Sequence, residues 1–570
     1  MRLLRSLAVA LPLVVIACGD PSTGGSSGGT VIIGSPADAD ALLPPLAGTV
    51  AGLTVSDLLF DRLAEIGPEL NVNGDSGFMP HIAERWSWSD DSLAISFSIN
   101  PDARWHDGTP VRAVDVVMGF NVIRDTLNGS QLIADIGGVD SVVAVDSLTA
   151  VVHFAERAAE QFLAATRITP LPAHLLRDLA PGTLRTSDEA RAPVGSGRFR
   201  FVEWRPRQRL ELAAVDGHYR GRPNIDRVVF SITPEPATGL ARMWAGESDV
   251  WAPLAPNDVP TAEQYDHIRV YSGPGFDYGF LAFNFRDRRN DNRPHPLFAE
   301  RELRRALTMA VDRDALREAI FGDAAMRSYG PFTRPQNTAD TTITQIPFDR
   351  TAAAKTLDSL GWRVGDDGIR RRGAQRLAFG ILIPTSSTVR NRASVLLQEQ
   401  LRQVGVDVTI ESMEFGAFYG RFTAGDFDAT IGGWHTTPSP GGIRGTWGSP
   451  AISRGADQNA GHYLNPAFDQ AVEAGLGSID PAQRAAHLRR AYQIIVDDAA
   501  AIWLYEVRNH AAVHERFNIP SWRSDAWWLT LGDWTVDPDK RLPRDAAPRT
   551  GTDADSAAGT EAGAATEPAP

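Results

Sequence analysis

Residues 377–437 constrain the fold more than any other stretch of the chain. Leu377, Phe379, Ile381 and Ile383 recur with the two-residue period of a strand, and Pro384 ends the run. Ser386, Ser387 and Thr388 offer N-cap oxygens. Val389, Ala393, Leu396, Leu397, Leu401 and Val404 then fall on one helical stripe, which Gly405 stops. Val406, Val408 and Ile410 alternate again. The pattern predicts a β-α-β unit with parallel strands. A short helix over 415–423, a turn at Gly425-Asp426 and a third strand from Phe427 to Trp434 extend it. Strands alternating with helices predict an α/β lobe around a buried sheet.

Ligands of open α/β sheets bind at the carboxyl ends of the strands. The third strand ends in Gly432-Gly433-Trp434-His435-Thr436-Thr437. The two glycines permit close approach to the backbone. Trp434 supplies a flat apolar wall with one donor, and His435, Thr436 and Thr437 supply polar groups. This is the first candidate site; the competing reading makes Trp434 a core residue and the rest a loop. Residues 297–321 read as two structural helices, the second capped by Asp312 and stopped at Gly322.

A chain of 570 residues exceeds one hydrophobic core, so two or three lobes are expected. The net charge of -14 argues against general nucleic-acid binding, which needs a basic face. Arg2 and Arg5 precede an apolar run, Leu7–Ile16, that is too short to span a bilayer. Val15-Ile16-Ala17-Cys18 resembles a bacterial lipobox, in which cleavage leaves the cysteine first and its sulfur takes a lipid. Cys18 is the sole cysteine, so an internal disulfide is impossible, and lipidation explains a lone secreted thiol. An ordinary signal peptide with a chance cysteine is the alternative. Residues 1–17 are thus read as a signal peptide, 18–29 as a Gly/Ser-rich tether and 541–570 as a disordered tail.

Five ordered segments resemble extracellular solute-binding protein family 5, the oligopeptide, dipeptide and nickel type. The first runs from Met79 to Asp125 and holds Pro80-His81-Ile82-Ala83-Glu84-Arg85-Trp86, Trp105-His106-Asp107-Gly108-Thr109-Pro110 and Ala113-Val114-Asp115-Val116. The others are Gly195–Phe199 with His218–Pro223, Gly246–Val250, Leu303–Leu307 with Ala310–Arg313, and Gly425–Ala429 leading into Gly433-Trp434. The resemblance implies a two-lobed periplasmic-binding-protein clamp of class II type with an additional α/β domain. Residues 30–57, 190–272 and 500–540 would form lobe I, 58–189 the extra domain and 273–499 lobe II. Trp105–Gly108 reads as architecture, with His106 and Asp107 in a turn.

It also implies a monomeric, lipid-anchored, periplasmic or extracytoplasmic binding protein without a cofactor. Such a protein captures a peptide or other small polar solute and delivers it to an ABC permease served by a separate ATPase. Ligand contacts are expected from Gly433, Trp434, His435, Thr436 and Thr437. Tyr505 matches an aromatic that looks into the family's cleft. Tyr278, before a strand ending at Asn284, and Trp447 are placed there by position. For these three, core packing and ligand contact both stand open.

Two departures bear on the ligand. Where peptide-binding members carry an aspartate for the α-ammonium, this chain has Thr437. Where dipeptide binders carry an arginine for the carboxylate, it has Pro384, with Arg390 and Arg392 nearby on the following helix. Burying an ammonium group without a carboxylate costs several kcal/mol, so a dipeptide held in the standard way is not expected. No His cluster has metal spacing, so His435 is read as a hydrogen-bonding residue. No phosphate loop or H-E-x-x-H motif appears, and G-x-S-x-G occurs only inside the Gly/Ser-rich tether rather than as an elbow between a strand and a helix, which argues against an ATPase or a secreted hydrolase. A sensing or chaperone-like clamp without an importer is the other alternative.

Overall fold

The computed structural model describes residues 28–546 except 181, 454, 456 and 457. Cys18, the leader, most of the tether and most of the tail lie outside the described residues.

One mixed sheet runs through the molecule. Its centre is a pair of long antiparallel strands, Ile268–Phe283 and Ala501–His514, which cross from one α/β half to the other. On one side the sheet continues through Val250–Trp251, Thr30–Ser35, Arg227–Ile232, Arg209–Ala214 and Phe199–Arg205. On the other it continues through Ala429–His435, Ala378–Pro384 and Asp407–Met413. Chain ends thus meet mid-chain segments in the first half. Fully buried Arg516 secures that meeting, bonding Asp249 at 2.9 Å and Asp545 at 2.7 Å. A separate antiparallel sheet, ordered Ala83–Trp88, Ala94–Ile99, Thr149–Phe154, Val139–Ala144, packs with helix Ala113–Arg124 to form the additional domain. One hydrophobic cluster, from Val31 through Phe97 and Phe162 to Val536, joins that domain to the first half.

The β-α-β unit forms as its periodicity requires. Ala378–Pro384 and Asp407–Met413 pair in parallel, Ile381 opposite Ile410. Helix Thr388–Arg402 joins them, with Ser387 Oγ accepting from Arg390 N at 3.3 Å. Gly405 follows at φ +82°, the left-handed conformation that favours glycine. Helices Arg301–Met309 and Arg313–Phe321 likewise form, the second capped by Asp312. In the additional domain, Asp115 accepts from Trp105 Nε1, Arg112 N and Ala173 N at 2.8–3.1 Å. His106 is fixed between Gly195 N and the Gly197 carbonyl, and burial lowers its pKa to about 4. Its role is architectural.

The crossing differs from the sequence expectation in two ways. Ile268–Phe283 is continuous, whereas the sequence suggested a strand beginning after Tyr278. Pairing with Ala501–His514 carries the chain through Gly273-Pro274-Gly275, but the register shifts between Pro274 and Tyr278. Proline has no N–H to give, and a Cβ on Gly275 would lie 2.6 Å from the Val507 carbonyl. The second shift sets Gly279 opposite Tyr505 but Phe280 opposite Trp503, leaving Leu504 as a bulge. Simple alternation would put Trp503 and Tyr505 on one side. The bulge separates them: Trp503 packs with Tyr278 and Phe280, Tyr505 with Ile502 and Leu504.

Candidate functional site

The strand Ala429–His435 pairs antiparallel with the crossing strand, Asp277 opposite His435 and Phe283 opposite Ala429. Thr436 N donates to the Phe276 carbonyl at 2.7 Å and Asn284 N to the Asp428 carbonyl at 2.9 Å. These bonds set the phase of the ladder. Residues 428, 430, 432, 434 and 436 bond toward the crossing strand, and alternate residues aim their N–H and C=O groups the other way. On that other side, Ala378–Pro384 pairs only with Ala429 and Thr430. Among the described residues, no strand covers the outward backbone groups of Gly433 and His435.

The side chains around this edge divide by role. Gly432 serves packing, since a Cβ there would lie 2.7 Å from the Phe280 ring, whereas Gly433 is exposed. Trp434 is half-buried, its ring 6.3 Å from that of Phe422. His435 is exposed; its Nδ1 lies 3.1 Å from Asp277 Oδ1, and that hydrogen bond raises its pKa. Thr436 is engaged by the chain itself, through the Phe276 carbonyl at 3.0 Å and Thr333 Oγ1 at 2.7 Å. Thr437 is exposed, and its carbonyl accepts from Gln336 Nε2 at 2.9 Å.

Tyr278 and Trp447 lie beneath the edge, only 2% and 4% exposed. Trp447 Nε1 donates to Tyr278 Oη at 2.9 Å, and its ring packs on Trp503 at 4.9 Å. Burial pushes the Tyr278 phenol above its ordinary value. Tyr505 is 6% exposed and packs on Phe321, with its pKa pushed up to about 12 by burial. All three belong to aromatic packing in the second half. Pro384 ends its strand buried, and its carbonyl accepts from Asn391 Nδ2 at 3.4 Å.

Beside the edge opens a cavity of about 310 Å3, lined by Gly432, Gly433 and Trp434. Arg390 and the aromatic side of helix Phe415–Thr423 complete much of it. The sequence pattern gives 415–423 only as a short helix. Its signal was Phe415, Phe418, Tyr419 and Phe422 at helical spacing, with Phe415 and Tyr419 left 52% and 55% exposed. A larger cavity of about 520 Å3 lies between 57–65 and the C-terminal stretch 521–533. Its charged walls are largely paired internally: Asp61 with Arg220 and His218, Arg62 with Asp57, Arg198 with Asp533, Arg523 with Asp525. Most of those charges are paired, with Arg198 Nε and Arg334 Nη1 left without a hydrogen-bond partner among the described residues; the smaller cavity, directly beside the open edge, is the better candidate.

Residues 77–452 match the family described as bacterial extracellular solute-binding proteins, family 5 Middle. The chain belongs to this family. It is therefore a solute-binding protein that works outside the cytoplasm. The oligopeptide-binding protein AppA of Bacillus subtilis is 24% identical over 556 residues, covering 92% of this chain and 98% of AppA. Protein XP55 of Streptomyces lividans is 26% identical over 517 residues, 90% of each chain. Among solved structures, AppA from Bacillus subtilis in complex with a nonapeptide superposes with a TM-score of 0.68 at 22% identity, covering 90% of this chain and 99% of AppA. The substrate-binding protein CtaP of Listeria monocytogenes gives a TM-score of 0.77 at 21% identity, with 90% and 99% coverage. These structures establish the two-lobed fold. Among the described residues, no helix is long and apolar enough to cross a membrane.

Proposed function

We propose that this family member captures short peptides by strand addition at the Gly433–His435 edge and hands them to an ABC importer. The observation that carries the reading is the pair of outward backbone positions, Gly433 and His435, which no strand covers among the described residues. An extended peptide gains affinity from main-chain bonds to such an edge and specificity from alternate side-chain pockets. Trp434 then forms a wall of the site, with Tyr278 and Trp447 beneath it in the same aromatic cluster. The peptide-bound relative AppA supports this ligand class. Thr437 leaves no carboxylate for an α-ammonium, which favours recognition through the backbone.

In this reading the protein is a monomer without catalytic activity. Residues 30–57, 190–272 and the part of 500–540 beyond the crossing move as one lobe, carrying 58–189 with them, against 273–499 together with the Ala501–Tyr505 segment that packs in the second half. Ligand stabilises the closed arrangement. A lipid on Cys18 holds the protein at the membrane beside its permease, whose energy comes from a separate ATPase. Membrane release of a Cys18→Ala protein tests the anchor.

Calorimetric titration of ligand-stripped protein with tri- to nonapeptides tests the capture. Saturable binding is expected, weakened about tenfold or more by N-methylation of the backbone amide that meets the edge. Absence of binding across the peptide series would reject the reading.

A further inference from the structure

The additional domain meets its two neighbours in different ways. A continuous hydrophobic cluster, from Val31 through Phe97 and Phe162 to Val536, fuses it to the first half. Among the described residues, no hydrophobic cluster runs from that domain into 273–499. Polar groups meet there instead. Asn337 Nδ2 donates to Asn71 Oδ1 at 2.7 Å, and Asn73 Nδ2 to the Ile479 carbonyl at 3.2 Å. Glu160 accepts from Ser439 Oγ at 2.6 Å with one oxygen and pairs with Arg484 through the other.

Arg484 depends on that contact. Its side chain is 2% exposed, and among the described residues no other carboxylate pairs with it. Its Nε and Nη1 also lack hydrogen-bond partners there. The residue lies near the start of helix Pro481–Asp497, the end whose dipole disfavours a cation. The second half thus buries a charge whose anion comes from another domain. Ser439 carries the same contact to the site. It caps the turn Pro440–Gly442 through Gly441 N at 3.0 Å. Its carbonyl shares Gln336 Nε2 with the carbonyl of Thr437, each at 2.9 Å. A contact of hydrogen bonds and one ion pair can part and re-form, because water replaces each polar partner on opening. The apolar joint to the first half has no such exchange.

We propose that Glu160 is a positioning residue for ligand capture. Through Ser439 and Arg484 it clasps the additional domain to the second half, before ligand arrives as well as after, and fixes the loop that ends the site strand. The clasp deepens the lobe movement proposed above; only its effect on affinity rests on the peptide reading. Breaking it leaves fewer molecules closed, and the apparent affinity falls with that fraction.

Spin labels introduced by Val114→Cys and Val395→Cys, at exposed positions of helices Ala113–Arg124 and Thr388–Arg402, report the separation by pulsed dipolar resonance. Cys18→Ala removes the only other cysteine. The unliganded parent is expected to show the separation of the structure as its main population. Glu160→Gln keeps the shape and removes the charge, and should move most of that population to a longer separation. Ser439→Ala and Asn337→Ala should each move part of it. Thermal melting checks folding; if Glu160→Gln does not fold, the other two variants decide. Peptides should bind Glu160→Gln about fivefold or more weakly than the parent, and at saturation restore the short separation. A merely structural Glu160 would lower the Tm and leave separation and affinity unchanged. A parent that is open throughout, or folded variants as closed as the parent, would overturn the clasp. If no peptide binds the parent, the peptide reading falls, and the separations alone decide.

Discussion

The carboxylate of Glu506 is fully buried on a crossing strand, accepts from the backbone N–H of Arg334 at 3.0 Å and forms an ion pair with its guanidinium at 3.1 Å. Glu506 also stands opposite Tyr278, where the ladder resumes after its register shift. The contact therefore ties the crossing to a loop of the second half. That loop reaches the site as well, through Thr333 to Thr436 and Gln336 to Thr437.

Burial pushes the pKa of Glu506 up to about 7, from an ordinary value of 4.5. The folded protein thus holds a proton that the unfolded chain releases between those values. The sign follows: this contribution to stability is fully present below pH 4.5 and is lost as pH rises through about 7. Glu506→Gln lacks the proton and so lacks the loss. Its stability relative to wild type should rise between pH 5 and pH 8 by up to roughly 3 kcal/mol. Urea denaturation across that range measures it, and a flat difference would show that Arg334 already compensates the buried charge.

Glu160, in the additional domain, accepts from Ser439 Oγ at 2.6 Å and pairs with Arg484, whose side chain is 2% exposed. Glu160→Ala leaves that guanidinium buried without its anion. A loss of about 3–5 kcal/mol is expected for breaking such a pair. Calorimetric melting should show it as a lowered Tm, whereas an unchanged melt would mean that water takes the carboxylate's place.

The Phe280 ring fills the space where a Gly432 side chain would stand. Gly432→Ala should therefore cost about 1–3 kcal/mol by overpacking. Gly433→Ala, whose Cβ would stand 3.3 Å from the Tyr278 carbonyl, should cost less. Paired chemical denaturation curves rank the two.

Thr437 is exposed at the end of the site strand. Thr437→Asp supplies an anion for a peptide's α-ammonium. An exposed ion pair of this kind is worth about 0.2–1 kcal/mol, or roughly 1.4- to fivefold in affinity. Titration with free and N-acetylated peptides should show the gain only for the free amine.

The sequence alone determined the elements whose causes are local. The alternation of Phe379, Ile381 and Ile383, the cap at Ser387 and the stop at Gly405 state the β-α-β unit without reference to the rest of the chain. Asp312 and Gly322 do the same for their helix. The strand ending at Trp434 was legible for the same reason. What surrounds that strand was not, because it is made by residues far apart in the chain. Leu504 bulges only because two strands separated by more than 200 residues pair out of step, which moves Tyr505 away from the face of Trp503. The open edge exists because Ala378–Pro384 stops pairing at Thr430, and Arg390 meets Phe418 only once two helices pack around one strand end. Periodicity reports which face of an element is apolar; which neighbour that face meets, and where the pairing stops, is decided by packing.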